Sequence, residues 1–107
     1  MASKKKRDSD SGIGVDSLDR QKVEPPRKFK VVLYNDDYTP MEFVVNILMQ
    51  HFYKPQDEAM ALTLQIHNGD RGIAGVYSRE IAETKAHTVN VIARGLQHPF
   101  RAEAEPE

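Results

Sequence analysis

The stretch FKVVLYNDD, residues 29–37, decides how the chain begins to fold. Residues 29–34 are mostly β-branched or aromatic, and Phe29, Val31 and Leu33 alternate onto one face, which predicts a half-buried strand. The Asn-Asp-Asp that follows ends this strand, because short polar side chains compete for backbone hydrogen bonds and favour turns. The stretch therefore predicts one strand that leads into a polar turn.

A helix start follows directly on this turn. Thr39 fits the N-cap, Pro40 the first helical position, and Glu42 the reciprocal position of a capping box. Apolar residues then recur at helical spacing. The pattern predicts a first helix that runs to about residues 51–53.

A second helix and a second strand are predicted over the next part of the chain. Pro55 opens the helix, and Asn68-Gly69 closes it as a left-handed C-cap residue would. The short run of small and β-branched residues at 73–77 predicts the second strand.

A third helix and a last strand complete the pattern. Ser78 caps the helix, Gly95 ends it, and its predicted inward face consists of Ile81, Ala82, Val89, Ile92 and Ala93. From Phe100 to Ala104 apolar residues alternate with charged ones, which is typical of an edge strand.

The order of these elements predicts an α+β fold, in which a three-stranded antiparallel sheet has three helices packed on one face. We assign this core to residues 29–107. Residues 1–28 are nearly free of large apolar side chains and cannot offset their ordering entropy, so we expect a disordered N-terminal extension. A core of about 79 residues has room for a groove or a shallow pocket but not for a deep cavity.

Composition and charge exclude several classes of protein. The chain of 107 residues contains no cysteine, so neither a disulfide framework nor a thiolate metal site is possible. Residues 29–107 carry seven Lys or Arg against eleven Asp or Glu, and such an acidic core repels nucleic acid. No apolar run approaches the roughly 20 residues of a membrane span, and no secretory signal opens the chain. We therefore expect a cytoplasmic protein with no nucleic-acid or membrane partner.

The densest polar cluster is Asn35, Asp36 and Asp37. Turn chemistry alone would explain many such runs, yet two adjacent carboxylates beside a capped helix exceed what a turn requires. The pair would repel the anion that a helix N-terminus attracts, so a cation is the better ligand. An ammonium group needs only a few oxygen acceptors, and an α-amino group, with a reference pKa near ~8, is largely charged at neutral pH.

The histidines offer little to a metal. His51, His67, His87 and His98 have no zinc-like spacing, and the aspartate pair lacks the further carboxylates and central glycine of a calcium loop. We expect neither a metal nor another cofactor. His67, at the predicted end of the second helix, is either a structural helix-terminal histidine or a further acceptor for the ammonium group.

Catalytic patterns are missing from the sequence. It has no Ser-His-Asp order, no nucleophile elbow and no glycine-rich phosphate loop. We therefore expect that the chain is not an enzyme.

The run VLYNDDYTPMEFVV, residues 32–45, resembles the signature of the ClpS family, the bacterial N-end-rule adaptors of the ClpA–ClpP protease. Further stretches fall where that family places similar residues, namely Ile66-His67, Gly75-Val76-Tyr77, Ala82-Glu83-Thr84-Lys85 and His98-Pro99. The resemblance covers about residues 26–104, and a fourteen-residue match followed by an ordered set of later ones is highly specific.

The resemblance implies a peptide-binding adaptor. Such a protein would bind N-degrons, which are proteins or peptides whose first residue is Leu, Phe, Tyr or Trp. It would deliver them to the N-terminal domain of the ClpA unfoldase for degradation by ClpP, and so modulate which substrates ClpA takes. The N-terminal extension would engage the unfoldase during this transfer.

The same resemblance implies three groups of functional residues. The α-amino group of the substrate would be bound by Asn35, Asp36 or Asp37, and His67. Its first side chain would enter a pocket lined by Thr39, Pro40, Met41, Val44, Thr63, Ile66 and Phe100. Met41 would stand at the rim of this pocket and reject side chains branched at Cβ. The docking face for ClpA would include Tyr38, Glu80, Glu83, Thr84 and Lys85.

Two pocket residues depart from the family pattern. Thr63 stands where methionine is expected and enlarges the pocket on one side, whereas Phe100 stands where leucine is expected and fills it on another. The residues by themselves also allow two other functions. One is a scaffold domain that binds a partner through its acidic face, and the other is a metal-dependent enzyme centred on Asp36 and Asp37.

Overall fold

Six elements follow one another in the predicted order. The computed structural model describes residues 25–107, and the predicted disorder of residues 1–24 lies outside the described residues. The elements are β1 (Lys28–Tyr34), α1 (Met41–His51), α2 (Gln56–Gly69), β2 (Arg71–Ser78), α3 (Arg79–Gly95) and β3 (Arg101–Pro106). The predicted α+β class is confirmed. β1 begins one residue before the predicted core, and the division of the chain at residue 28 stays a prediction.

The three strands form one antiparallel sheet in the order β2-β1-β3. β1 is central because it is the most apolar strand, and β3 lies at an edge, where its alternating charges reach solvent. The register of β1 and β2 shifts between Val31, which pairs with Gly75, and Val32, which pairs with Ile73. Ala74 is therefore an extra residue in β2, and the shift forms a bulge.

The core lies between one face of this sheet and the three helices, as predicted. Val31 and Leu33 of β1 are fully buried and join a cluster with apolar residues of all three helices. Ile66 of α2 and Val89 of α3 are also buried in this cluster. Each such side chain contributes roughly 1.5–3 kcal/mol through the area that it removes from water.

The capping box predicted for α1 does not form, and the helix begins at Met41 rather than at Pro40. Pro40 is the N-cap, with an extended ψ of 143°, and no side chain caps the helix there. The Thr39 hydroxyl donates instead to Asp36 Oδ2 at 3.0 Å. The prediction was wrong because the helix begins one residue later than expected, so that the N-cap position falls on Pro40, whose side chain has no acceptor.

The predicted end of α2 was too early by one residue. The left-handed residue is Asp70, with φ 74°, and not Asn68 or Gly69. In α3 the Ser78 cap is confirmed, since its hydroxyl accepts from Ile81 N at 3.5 Å. Ile81 itself is 50% exposed and not buried as predicted, because the inward face of α3 is centred on Ala82 and a neighbouring position points about 100° away.

None of the helices within residues 25–107 is long and apolar enough to cross a membrane.

Candidate functional site

The end of β1 and the end of α2 meet at one corner of the fold. Asn35 N donates to Asp70 O at 2.8 Å, which ties the residue after β1 to the residue after α2. His67 is exposed in the last turn of α2, three residues before Asp70. The hydrogen bond therefore places Asn35 beside the end of α2 that carries His67. The joint role of the two side chains stays a prediction.

Asp36 organises the turn between β1 and α1. Its Oδ2 accepts from Tyr38 N at 2.9 Å and from the Thr39 hydroxyl at 3.0 Å. Its backbone carbonyl also accepts from Thr39 N at 3.3 Å. This half-buried carboxylate has the contacts of a structural Asx turn, which engage its Oδ2, whereas no hydrogen bond within residues 25–107 involves its Oδ1.

Asp37 has the opposite surroundings. Its side chain is exposed, and among residues 25–107 no hydrogen bond or ion pair involves its carboxylate. The side-chain amide of Asn35 likewise makes no hydrogen bond within this part of the chain. Asn35 and Asp37 thus offer oxygen acceptors that no other described residue uses, close to the start of α1.

The residues predicted to line the side-chain pocket divide into a floor and a rim. The floor residues are buried, and they are Thr39, Val44, Thr63, Ile66 and Phe100. The rim residues Pro40 and Met41 are exposed, and Met41 keeps 38% of its surface in solvent. Met41 and Thr63 line one cavity, whereas Phe100 lines another. The role of Met41 as a gate stays a prediction.

The two unusual pocket residues are both fixed by contacts inside the fold. The hydroxyl of Thr63 donates to Ala59 O at 2.7 Å, one helical turn earlier in α2. Thr63 therefore adds no unpaired polar group to the pocket. The ring of Phe100 packs edge-on against Phe43, with centroids 5.9 Å apart, and Phe43 packs edge-on against His98 at 4.8 Å. Sequence reasoning missed this aromatic cluster, since nothing local links residues so far apart.

Beyond Met41 an apolar groove of about 570 Å³ lies between α1 and α2, and we call it the α1–α2 groove. It is lined chiefly by Met41, Val45 and Met49 of α1 and by Met60, Thr63 and Leu64 of α2. The sequence analysis did not predict the groove, although Met41 and Met49, eight residues apart on α1, could have indicated an exposed apolar stripe there.

The predicted docking residues do not all lie together. Glu80, Thr84 and Lys85 line a shallow depression on the first turns of α3. Lys85 Nζ donates to the carbonyl of His51, the last residue of α1, at 2.8 Å. Tyr38 is 85% exposed just before the start of α1, a helix about 16 Å long. Tyr38 is therefore at the far end of α1 from the other docking residues.

Two of the docking residues also have partners within the chain. Glu83 forms an exposed ion pair with Arg79 at 3.1 Å, one turn away on α3. The Lys85 ammonium lies over the rings of Phe52, Tyr53 and Tyr77, at 5.2–5.6 Å from their centroids. Burial raises the pKa of Tyr77 above its ordinary value, and the nearby phenol of Tyr53 adds to the rise. Lys85 therefore connects α3 to the end of α1.

Across residues 25–107, no group of three or more His, Cys, Asp or Glu side chains is arranged to hold a metal ion. The aspartates at 36 and 37 consequently lack further protein ligands in the described part of the chain.

Comparisons with known proteins point to one family. The family model for the ATP-dependent Clp protease adaptor protein ClpS matches residues 24–103. The ClpS adapter of Hydrogenovibrio crunogenus is 46% identical over 96 residues, which cover 90% of this chain and 91% of the relative. The ClpS adapter of Desulfatibacillum aliphaticivorans is 51% identical over 87 residues, which cover 81% of this chain and 84% of the relative.

A solved structure is similar as well. It is that of Agrobacterium tumefaciens ClpS2 bound to L-phenylalaninamide, with a TM-score of 0.75 and 35% identity over 78% of this chain and 100% of that one. Together with the family match, it shows that the chain belongs to the ClpS family of Clp protease adaptors, which are adaptor proteins and not enzymes.

Proposed function

We propose that this adaptor binds proteins through a free amino terminus whose first residue is Leu, Phe, Tyr or Trp. It delivers them to the ClpA unfoldase for degradation by ClpP. The observation that carries the proposal is the 2.8 Å hydrogen bond from Asn35 N to Asp70 O, which joins the residue after β1 to the end of α2, three residues after His67. Free acceptors gather at this corner beside a packed apolar floor.

The ammonium half of the site uses Asn35, Asp37 and His67. The Asn35 amide oxygen and the Asp37 carboxylate accept from the protonated α-amino group, and neutral His67 accepts through a ring nitrogen. Asp36 supports them by holding the turn, because its Oδ2 is engaged with Tyr38 and Thr39. Charge-assisted hydrogen bonds of this kind contribute roughly 1.5–3 kcal/mol each before the entropic cost of binding.

The side-chain half of the site is the floor beneath Met41. A Leu, Phe, Tyr or Trp side chain packs on Val44, Ile66 and Phe100, while the Met41 side chain closes over its Cβ. A second substituent on Cβ, as in Ile or Val, collides with Met41. Burying the accepted side chain contributes roughly 1.5–3 kcal/mol. Together the two halves permit affinities of about micromolar, which suits a carrier that must release its cargo.

The ligand of the Agrobacterium relative supports both halves. L-phenylalaninamide keeps a free α-amino group and an aromatic side chain, and its amide replaces the carboxyl group as a peptide bond would. The compound therefore has the chemistry of the first residue of a protein.

Docking to the N-terminal domain of ClpA uses the start of α3, where Glu80 and Thr84 are exposed beside Lys85. Tyr38, at the opposite end of α1, lies next to the ammonium corner and contacts ClpA only if the partner spans that helix. We place the complex in the cytoplasm.

A degradation assay tests this function. Two fluorescent reporters that differ only in their first residue, Leu or Ala, are incubated with ClpA, ClpP and ATP, with and without the adaptor. We expect the adaptor to accelerate loss of the Leu reporter and to leave the Ala reporter unchanged. Equal acceleration of both reporters would contradict recognition of the first side chain.

A further inference from the structure

The α1–α2 groove continues away from the proposed first-residue pocket. Met41 and Thr63 belong both to that pocket and to one end of the groove. Only residues 52–55 connect α1 to α2, so the two helices run back along each other as a hairpin. The end of the groove near Met41 therefore lies at the ammonium corner, and the end near Met49 lies at the hairpin loop.

The groove is long enough for several residues of an extended chain. From Met41 to Met49, α1 rises by about 12 Å. An extended chain advances about 3.3 Å per residue, so three to four residues span the same distance. A ligand anchored beside Met41 thus reaches the far end with its fourth or fifth residue.

The lining favours apolar side chains of varied shape. Met49 and Met60 remain 36% and 50% exposed, and Leu64 is 50% exposed. Flexible thioethers adapt to different partners, and exposed apolar patches with polar rims mark interaction sites. Glu42 is the one charged residue that contributes to this lining, so the groove disfavours acidic side chains.

We propose that the α1–α2 groove binds the residues that follow the first one in the substrate, about the second to the fourth, when these are apolar. The inference rests on the proposed function, because the first residue anchors the substrate. A chain whose ammonium is held at the corner and whose first side chain lies beneath Met41 leaves the pocket past Met41. Since that chain is already tethered, its next residues meet the groove at a high effective concentration and bind at little additional entropic cost.

Matched peptides test this inference on the full chain. One labelled peptide continues from an initial Leu with Leu-Phe-Met, the other with Ser-Gly-Ser, and each is also prepared with an acetylated terminus. We expect the apolar peptide to bind about tenfold more tightly, since one or two further side chains leave water.

The double variant Met49→Gln/Met60→Gln keeps side-chain shape and helix propensity while making the far part of the groove polar. It should weaken the apolar peptide about fivefold or more and leave the Ser-Gly-Ser peptide within about twofold. The matched control is Val91→Thr on α3, a similar polar replacement of a residue that is 52% exposed and outside the groove. Val91→Thr should leave the affinities for the apolar peptide and for the Ser-Gly-Ser peptide unchanged.

Each of the other outcomes contradicts either the groove inference or the proposed function. If the apolar and Ser-Gly-Ser peptides bind the natural chain equally while acetylation abolishes binding, the groove inference fails and the proposed function stands. If acetylation has no effect, the proposed function fails. Equal weakening of both peptides by the double variant contradicts selective reading of later residues. Loss of a dimer in sedimentation, with unchanged peptide affinities, assigns the groove to a second copy of the chain and overturns the inference.

Discussion

Replacing each member of the aspartate pair in turn separates stability from binding. Asp36 Oδ2 accepts two hydrogen bonds, from Tyr38 N at 2.9 Å and from the Thr39 hydroxyl at 3.0 Å. Asp37 is exposed, and its carboxylate has no partner among residues 25–107. We therefore expect Asp36→Ala to destabilise the fold and Asp37→Ala to weaken peptide binding.

The expected magnitudes follow from these contacts. Asp36 is partly exposed and its two hydrogen bonds share one oxygen, so their joint loss should lower the free energy of unfolding by about 1–2 kcal/mol. For a domain of this size that change lowers Tm by about 4–16 °C. Asp37→Ala removes no contact within the described residues and should alter the free energy of unfolding by less than about 0.5 kcal/mol. Its affinity for a peptide that begins with Leu should fall about tenfold.

Circular dichroism melts and fluorescence anisotropy titrations measure the two effects on the same samples. Glu58→Ala, in the first turn of α2, removes another exposed carboxylate and is a matched control for general charge effects. If Asp37→Ala binds as tightly as the natural chain, while Asp36→Ala loses affinity at an unchanged Tm, the assigned roles are reversed and the reasoning is wrong.

Three further predictions concern other parts of the fold. Met41→Ala should admit peptides that begin with Ile or Val, because the rim side chain that meets a branched Cβ is gone; continued rejection in titrations would show that Met41 is not the gate. Lys85→Met should lower the free energy of unfolding by about 1–2 kcal/mol, because it loses the hydrogen bond to His51 O and the three ring contacts. An unchanged denaturant concentration at the midpoint of unfolding would refute this prediction. Burial raises the pKa of Tyr77 in the folded chain above its ordinary value near 10. The neutral phenol therefore contributes its full stabilisation below about pH 10, and this contribution is lost as the pH rises through the raised pKa. Tyr77→Phe should flatten that alkaline fall in Tm, and parallel falls in both proteins would count against the assignment.

The order of helices and strands was predictable from the sequence because its signals are local. Alternation in residues 29–34 and helical spacing after Pro40 depend only on neighbouring side chains, and these elements form as predicted. The cap of α1 was not predictable in the same way. Thr39 has the right type and spacing for a cap, but the turn that Asp36 holds continues through Thr39, and α1 begins only after Pro40. Two local patterns competed, and the sequence alone does not rank them.

Contacts between distant residues explain the other differences. Lys85 was predicted as a docking residue, and nothing in its neighbourhood on α3 indicates that its ammonium reaches the end of α1. Phe100 was predicted to line a pocket, and its ring is held by Phe43, far away in the chain. The ammonium corner was predicted only on the condition that α2 packs beside α1, so that His67 could approach the turn that contains Asn35. The roles of these site residues stay predictions.

Capture of a protonated α-amino group is the central step of the proposed function, and a set of three labelled peptides tests this step directly. The first begins with an unmodified Leu, the second has hydrogen in place of the ammonium group, and the third is acetylated. The second peptide keeps the side chain and adds no bulk, so it separates loss of charge from steric exclusion. We predict that both modified peptides bind at least about a hundredfold more weakly than the first. Binding of the peptide without an amino group within twofold of the unmodified one would contradict the account.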